Sequence, residues 1–120
     1  MVVPVTISTA GNVTYTTTQV MGGMILRDGN GGARTDTLPS AASLVQAIQG
    51  AMVGTSFEFE LRNTSGTAIA ITLAAGAGVT LSPASTSVAQ SNTRPYKVIL
   101  TNVNPGQETY TVYAGATGAF

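Results

Sequence analysis

TSFEFELRNTSGTAIAITLA, residues 55–74, decides the fold class. Phe57, Phe59 and Leu61 alternate with Ser56, Glu58, Glu60 and Arg62. That two-residue period belongs to a strand with one face buried and the other in water. Asn63-Thr64-Ser65-Gly66 then concentrates turn formers, with Gly66 free to take positive φ. Ile69, Ile71 and Leu73 resume the alternation against Ala68, Ala70 and Thr72. Two alternating runs on either side of a turn predict a β-hairpin.

The same period spreads outward in both directions. Tyr96, Val98 and Leu100 oppose Lys97, Ile99 and Thr101. Asn104-Pro105-Gly106-Gln107 carries Pro second and Gly third, the type II turn signature. Thr109–Tyr113 returns as a strand, predicting a second hairpin. Val79 and Leu81 mark a short strand stopped by Pro83, and Val88 marks another. Upstream, Val13–Val20 is Thr-rich and β-prone, Gly22-Gly23 breaks it, and Met24-Ile25-Leu26 is a brief buried run before the turn at Asp28–Gly32. One helix is expected over about residues 39–49. Pro39 suits the first helical position, Ala41, Leu44, Val45 and Ile48 form a one-sided apolar stripe, and Gly50 is placed to cap the end. The expected architecture is an all-β, jelly-roll-like β-sandwich with one short α-helix. Residues 13–120 form its single domain, and residues 1–12 an extended N-terminal arm.

Composition narrows function by exclusion. The 120 residues include five Lys/Arg and five Asp/Glu, so 8% are charged, against about 25% in an ordinary soluble domain. With no Cys and no His, disulfides, thiolate or imidazole metal sites and a Ser-His-Asp triad are all excluded. Zero net charge from scattered cations argues against a nucleic-acid partner. The uncharged stretch from Asn63 to Thr93 is rich in Thr, Ser and Gly and too polar for a spanning helix, so no membrane partner is expected. The first 26 residues lack the basic segment that opens a signal peptide, and Met1 reads as a true start, so an unprocessed product of the cytoplasm is expected. A neutral surface of Thr, Ser, Asn and Gln tends to associate, which reads either as a surface covered in the working state or as a neutral polar coat of no special meaning.

Few side chains could carry chemistry. Gly29–Gly32 lacks the Gly-Lys-Ser/Thr ending of a phosphate loop. Glu58 and Glu60 would stand about 7 Å apart on one strand face, superficially like a glycosidase pair. Such pairs flank an aromatic-lined cleft, and this chain has no Trp, so a solvated strand face with Arg62 or Lys97 as partner is the plainer reading. Asp28, Asn30 and Asp36 offer oxygen ligands without the spacing of a calcium loop. No catalytic residue, cofactor or metal is therefore expected, and the chain is not read as an enzyme. Two features remain as candidate interface. Arg27, Asp28, Arg34 and Asp36 place four of the ten charges within ten residues, either as a salt-bridged surface loop or as a registry device between subunits. Val2, Val3, Pro4 and Val5 are apolar and uncharged, suited either to a first edge strand or to an arm that adds to a neighbour's sheet.

Residues 22–66, GGMILRDGNGGARTDTLPSAASLVQAIQGAMVGTSFEFELRNTSG, resemble a module that recurs in virion proteins of tailed bacteriophages and other large DNA viruses. GAGVTLSP (76–83) and TNVNPGQETYTVY (101–113) look like the closing strands of the same module. The resemblance covers residues 22–114, and its most specific runs are Arg34–Pro39 and Val53–Asn63. At this length the chain is similar to the small head decoration, or cement, proteins of tailed phages. That resemblance implies a structural virion protein on the outer surface of the capsid, made in the host cytoplasm. It would bind the major capsid protein, bridge neighbouring subunits and self-associate as a dimer or trimer. The alternative is a receptor-binding or fibre-head domain of a phage tail or surface fibre. A glycan hydrolase built on Glu58 and Glu60 is the weakest of the three.

Overall fold

The computed structural model describes residues 1–120. Ten strands and two small helices follow in the order β1 (Val5–Ile7), α1 (Thr17–Met21), β2 (Met24–Arg27), β3 (Arg34–Thr37), α2 (Ala41–Ala47), β4 (Ser56–Asn63), β5 (Ile71–Ala74), β6 (Val79–Ser82), β7 (Thr86–Val88), β8 (Asn92–Asn102), β9 (Thr109–Ala114) and β10 (Gly118–Ala119). The large sheet runs β1-β2-β4-β8-β9-β6, with β10 beside the start of β8. The small sheet runs β3-β5-β7. The fold is thus β-rich and built from two sheets.

The alternating period does what it predicts within each strand. Phe59 and Leu61 on β4, Tyr96, Val98 and Leu100 on β8, and Tyr110 and Val112 on β9 are all buried, as are Ile71 and Leu73 on β5. They join one core with Ile25, Val88, Leu38, Ala41 and Leu44. Phe59 and Tyr96, cross-strand partners, stack with ring centroids 5.1 Å apart. The expected second hairpin is present: β8 and β9 pair antiparallel, with a register shift between Leu100 and Asn102. Its turn closes through the Gln107 N–H donating to the Asn104 carbonyl at 2.9 Å, with Gly106 at φ 82°.

The first hairpin does not form. β4 lies in the large sheet between β2 and β8, whereas β5 lies in the small sheet between β3 and β7. Asn63 makes the chain change layers. Its fully buried amide donates to the carbonyls of Ile69 and Val88, both at 2.9 Å, and its side-chain oxygen accepts from the Ser65 N–H at 3.0 Å. A side chain thereby takes the place of strand-to-strand bonds, and the Asn-Thr-Ser-Gly run becomes a corner between sheets. Four pairings (β1 with β2, β2 with β4, β3 with β5, β6 with β9) are parallel, so strands distant in sequence become neighbours.

Three further expectations change. Thr17–Met21 is helical rather than extended, because Thr16 and Gln19 form a capping box: the Thr16 hydroxyl accepts from the Gln19 N–H at 3.1 Å, and the Gln19 side chain accepts from the Thr16 N–H at 2.9 Å. That reciprocal cap outweighs the β preference of three consecutive threonines. The expected helix is shorter than residues 39–49. Ser40 is its N-cap, Pro39 lies before the cap, and the helix ends at Ile48, leaving Gly50 at φ +71° in the next turn. Finally, the first twelve residues do not stand apart as an arm. Val5–Ile7 pairs in parallel with Ile25–Arg27 as the edge of the large sheet, and the Val3 N–H donates to the Gly22 carbonyl at 2.6 Å.

Replacing Asn63 by Leu leaves two carbonyls and one N–H buried without partners. Stability measured by urea denaturation should fall by about 2–4 kcal/mol, in line with about 1–3 kcal/mol for each orphaned group and partial relaxation.

Candidate functional site

Arg27 and Asp36 come together, but inside the molecule. Both side chains have no exposed surface, and Arg27 Nε donates to Asp36 Oδ2 at 2.6 Å while Nη2 reaches Oδ1 at 3.3 Å. The other guanidinium protons go to backbone carbonyls: Nη1 to Thr9 at 3.0 Å and Asp28 at 2.7 Å, Nη2 to Gly11 at 2.6 Å. Asp36 accepts further from the Val13 N–H at 3.1 Å and the Tyr15 hydroxyl at 2.7 Å. All five guanidinium donors and both carboxylate oxygens are therefore used, which is the condition for a buried pair to be tolerated. Arg27 sits on β2 in the large sheet and Asp36 on β3 in the small one, so the pair clamps the two layers. Neither residue can meet a partner from the surface, which removes both from the expected interface. Nor do they form the exposed salt-bridged loop of the alternative reading.

Asp28 and Arg34 remain half-buried at the surface of the same connection. The Asp28 carboxylate accepts from the Asn30 N–H at 2.8 Å, and Arg34 donates to the carbonyls of Gly29 at 2.7 Å and Asn30 at 3.2 Å. They shape the loop from within it. Asp36 is held away from Asp28 and Asn30 by Arg27, so the three oxygen ligands considered for calcium do not converge, and no three acidic side chains gather as metal ligands.

The other candidate segment lies open. Val2 and Val3 are 59% and 58% exposed, Pro4 is exposed, and Val5 is half-buried at the start of β1. Met1, Val3 and Met21 line a shallow hollow of about 340 Å³ closed on one side by Ala47 of α2. No charged side chain occurs before Arg27. Glu58 and Glu60 stand on the outer face of the large sheet, opposite Lys97 and Pro95 respectively; both border an open hollow of about 270 Å³, and neither forms an ion pair with Lys97 or Arg62. No helix is long and apolar enough to cross a membrane.

The buried ion pair left a faint trace in the sequence. Arg27 is two residues from Ile25, and Asp36 two from Leu38, so each charge falls in phase with a buried apolar neighbour. Nothing in the pattern tells that the two phases face each other.

Compared with protein-family models, curated proteins and solved structures, the chain matches none.

The clamp should be costly to break on one side. Asp36→Ala leaves the guanidinium buried and unpaired and should lower stability by about 3–5 kcal/mol. The double variant Arg27→Met, Asp36→Leu should recover part of that loss, since the buried charge is gone while the Val13 N–H, the Tyr15 hydroxyl and the carbonyls of Thr9, Gly11 and Asp28 lose their partners; urea denaturation of the three proteins measures both.

Alkaline pH provides a second test. Burial pushes the phenols of Tyr15, Tyr96 and Tyr110 upward; at Tyr15 the Asp36 carboxylate adds to the rise and Arg27 opposes it. At Tyr96 the Thr86 hydrogen bond and Arg94 oppose it. A raised folded-state value means that the fold favours the neutral phenol. The resulting stability is complete below the unfolded tyrosine value of about 10 and is lost as pH climbs above it. In a titration above pH ~10, phenolate absorbance from these three residues should rise only together with loss of near-ultraviolet circular dichroism.

Proposed function

We propose that the chain is a structural virion protein, a capsid decoration or cement protein of a tailed phage. It binds the outer surface of the assembled head and bridges neighbouring major capsid subunits. The observation that carries this reading is the exposed, uncharged apolar segment Val2–Pro4 running straight into β1, an edge strand that also lacks charge. Unprotected edges of this kind recruit another chain, either by strand addition or by packing of the apolar side chains beside them. The clamp between the sheets supports the same reading, because a protein that resists outward pressure from a packaged genome needs a body that does not shear between layers. The jelly-roll-like sandwich belongs to this proposal as its finer fold reading; the two sheets support it, and the four parallel pairings depart from the antiparallel pattern of a jelly roll. Shell stabilisation also needs no catalytic group and tolerates zero net charge, since each copy lies away from the nucleic acid. Repetition over the shell makes a modest interface collective.

Copies per particle test the assignment. Gel densitometry of purified virions should give hundreds of copies, and cryo-electron microscopy should place them over the boundaries between capsid subunits. A few copies at the tail tip would overturn the reading in favour of a receptor-binding domain. The paired substitution Val2→Asp, Val3→Asp should abolish occupancy on heads while far-ultraviolet circular dichroism is unchanged, since both side chains are solvent-exposed; full occupancy would remove the N-terminal edge from the interface.

A further inference from the structure

The outer face of the large sheet carries a pattern that is complementary to itself. Glu58 on β4, Lys97 on β8 and Tyr113 on β9 lie in one row across three adjacent strands. All three are exposed. Glu58 and Lys97 face each other in the register, yet the only ion pair in the molecule is Arg27 with Asp36, so both charges are free. Beside Glu58 a hollow of about 270 Å³ lies over β4, from Val2, Gly23 and Met24 on the β2 side to Pro95 of β8, and a second of about 400 Å³ lies between Glu58, Lys97, Tyr113 and Gly115. Gly23 contributes no side chain to the first. The row therefore reads hollow, acid, base, aromatic knob.

We propose that this face is the contact between two copies of the chain, related by a two-fold axis that runs along the strands midway between β4 and β8. Rotation about that axis places β8 of one copy over β4 of the other, and β9 over β2, as follows from the order β2-β4-β8-β9. Glu58 then meets Lys97 of the second copy, and Lys97 meets Glu58. Tyr113, 48% exposed, falls over the hollow beside Gly23, and its counterpart fills the hollow in return. The Phe120 ring, seated 4.4 Å over the Arg62 guanidinium at the end of β4, comes close to the axis and meets its own copy. Strand directions in the two stacked sheets coincide, within the roughly 30° that sheet twist introduces in aligned packing. An isologous contact requires this kind of self-complementarity, in which one patch supplies both halves of each interaction. The occupant is a second copy because one symmetry operation matches both the charges and the shapes; a foreign partner would have to reproduce the same row.

Val2 borders both this contact and the N-terminal edge proposed to meet the head, so the dimer is tested at Glu58, Lys97 and Tyr113, which lie outside that edge, and it can fail while shell binding holds. The test uses the full chain in solution. Wild-type protein should show a concentration-dependent monomer–dimer equilibrium in sedimentation velocity. Glu58→Lys and Lys97→Glu, examined separately, each set like charges against each other across the contact and should weaken self-association at least about tenfold. Mixing the two variants should restore the dimer as a heterodimer. The two basic side chains that the first variant carries at positions 58 and 97 then meet the two acidic side chains that the second carries at 97 and 58. The pair within each chain stays like-charged in the mixture, so recovery cannot come from the monomer. Tyr113→Ala, at an exposed position, should weaken the dimer without changing thermal unfolding of the monomer. Wild-type protein that stays monomeric at all concentrations, or variants that fail to combine on mixing, would overturn the proposal.

Discussion

The bidentate contact between Arg27 and Asp36 is the constraint on which the rest of the architecture hangs. A charged pair with no access to water is unfavourable unless every donor and acceptor is used. Here that demand is met by backbone from three separate places: the carbonyls of Thr9 and Gly11, the Val13 N–H, and the carbonyl of Asp28. The connection from β1 to α1 must therefore wrap the guanidinium, and β3 must present its carboxylate from the opposite layer. With Tyr15 added through its hydroxyl, the network fixes where the small sheet sits on the large one. Hydrophobic burial drives the layers together, and the network selects the arrangement in which they meet.

Other polar groups repeat this strategy at smaller scale. Asn63 turns the chain between layers, and the Tyr110 hydroxyl donates to the Pro39 carbonyl at 2.7 Å, tying β9 to the start of α2. Arg94 does so only in part: it reaches the carbonyls of Ser87 and Gly115, at 3.0 Å and 2.7 Å, while its buried Nε has no partner. A chain with so few charged residues commits three of its five basic side chains, Arg27, Arg34 and Arg94, to its own backbone carbonyls. The surface left over is neutral and rich in hydroxyls and small apolar groups, which is the physical basis for reading it as a surface that operates against other protein.

The strands were legible in the sequence because burial on one face imposes a two-residue period that few other causes produce. Phe57, Phe59 and Leu61, and again Tyr96, Val98 and Leu100, point where that period says. The turn at Asn104–Gln107 was legible because Pro and Gly fix its dihedral angles locally. What was hidden depends on distance along the chain. Periodicity shows that β4 and β5 are strands but not which sheet each joins, and Asn63 looks like an ordinary turn residue until its amide is seen reaching Val88. The short α1 was masked by threonines whose β preference a cap overrides. Arg27 and Asp36 read as surface charges because burying a charge becomes favourable only once its partner is known, and no local pattern names the partner.

The parallel neighbours in both sheets bear on how the molecule is made. β1 can bond to β2 only across the intervening α1 segment, β2 must wait for β4, and β6 finds its partner in β9 much later in the chain. Loop closure must precede each of these gains, so sequence-distant pairing of this kind slows folding. The β8–β9 hairpin is the most local unit available, yet it follows β1 through β7 in the chain. The earlier strands must then wait for partners made later, and the large sheet can close only once β9 has been synthesised.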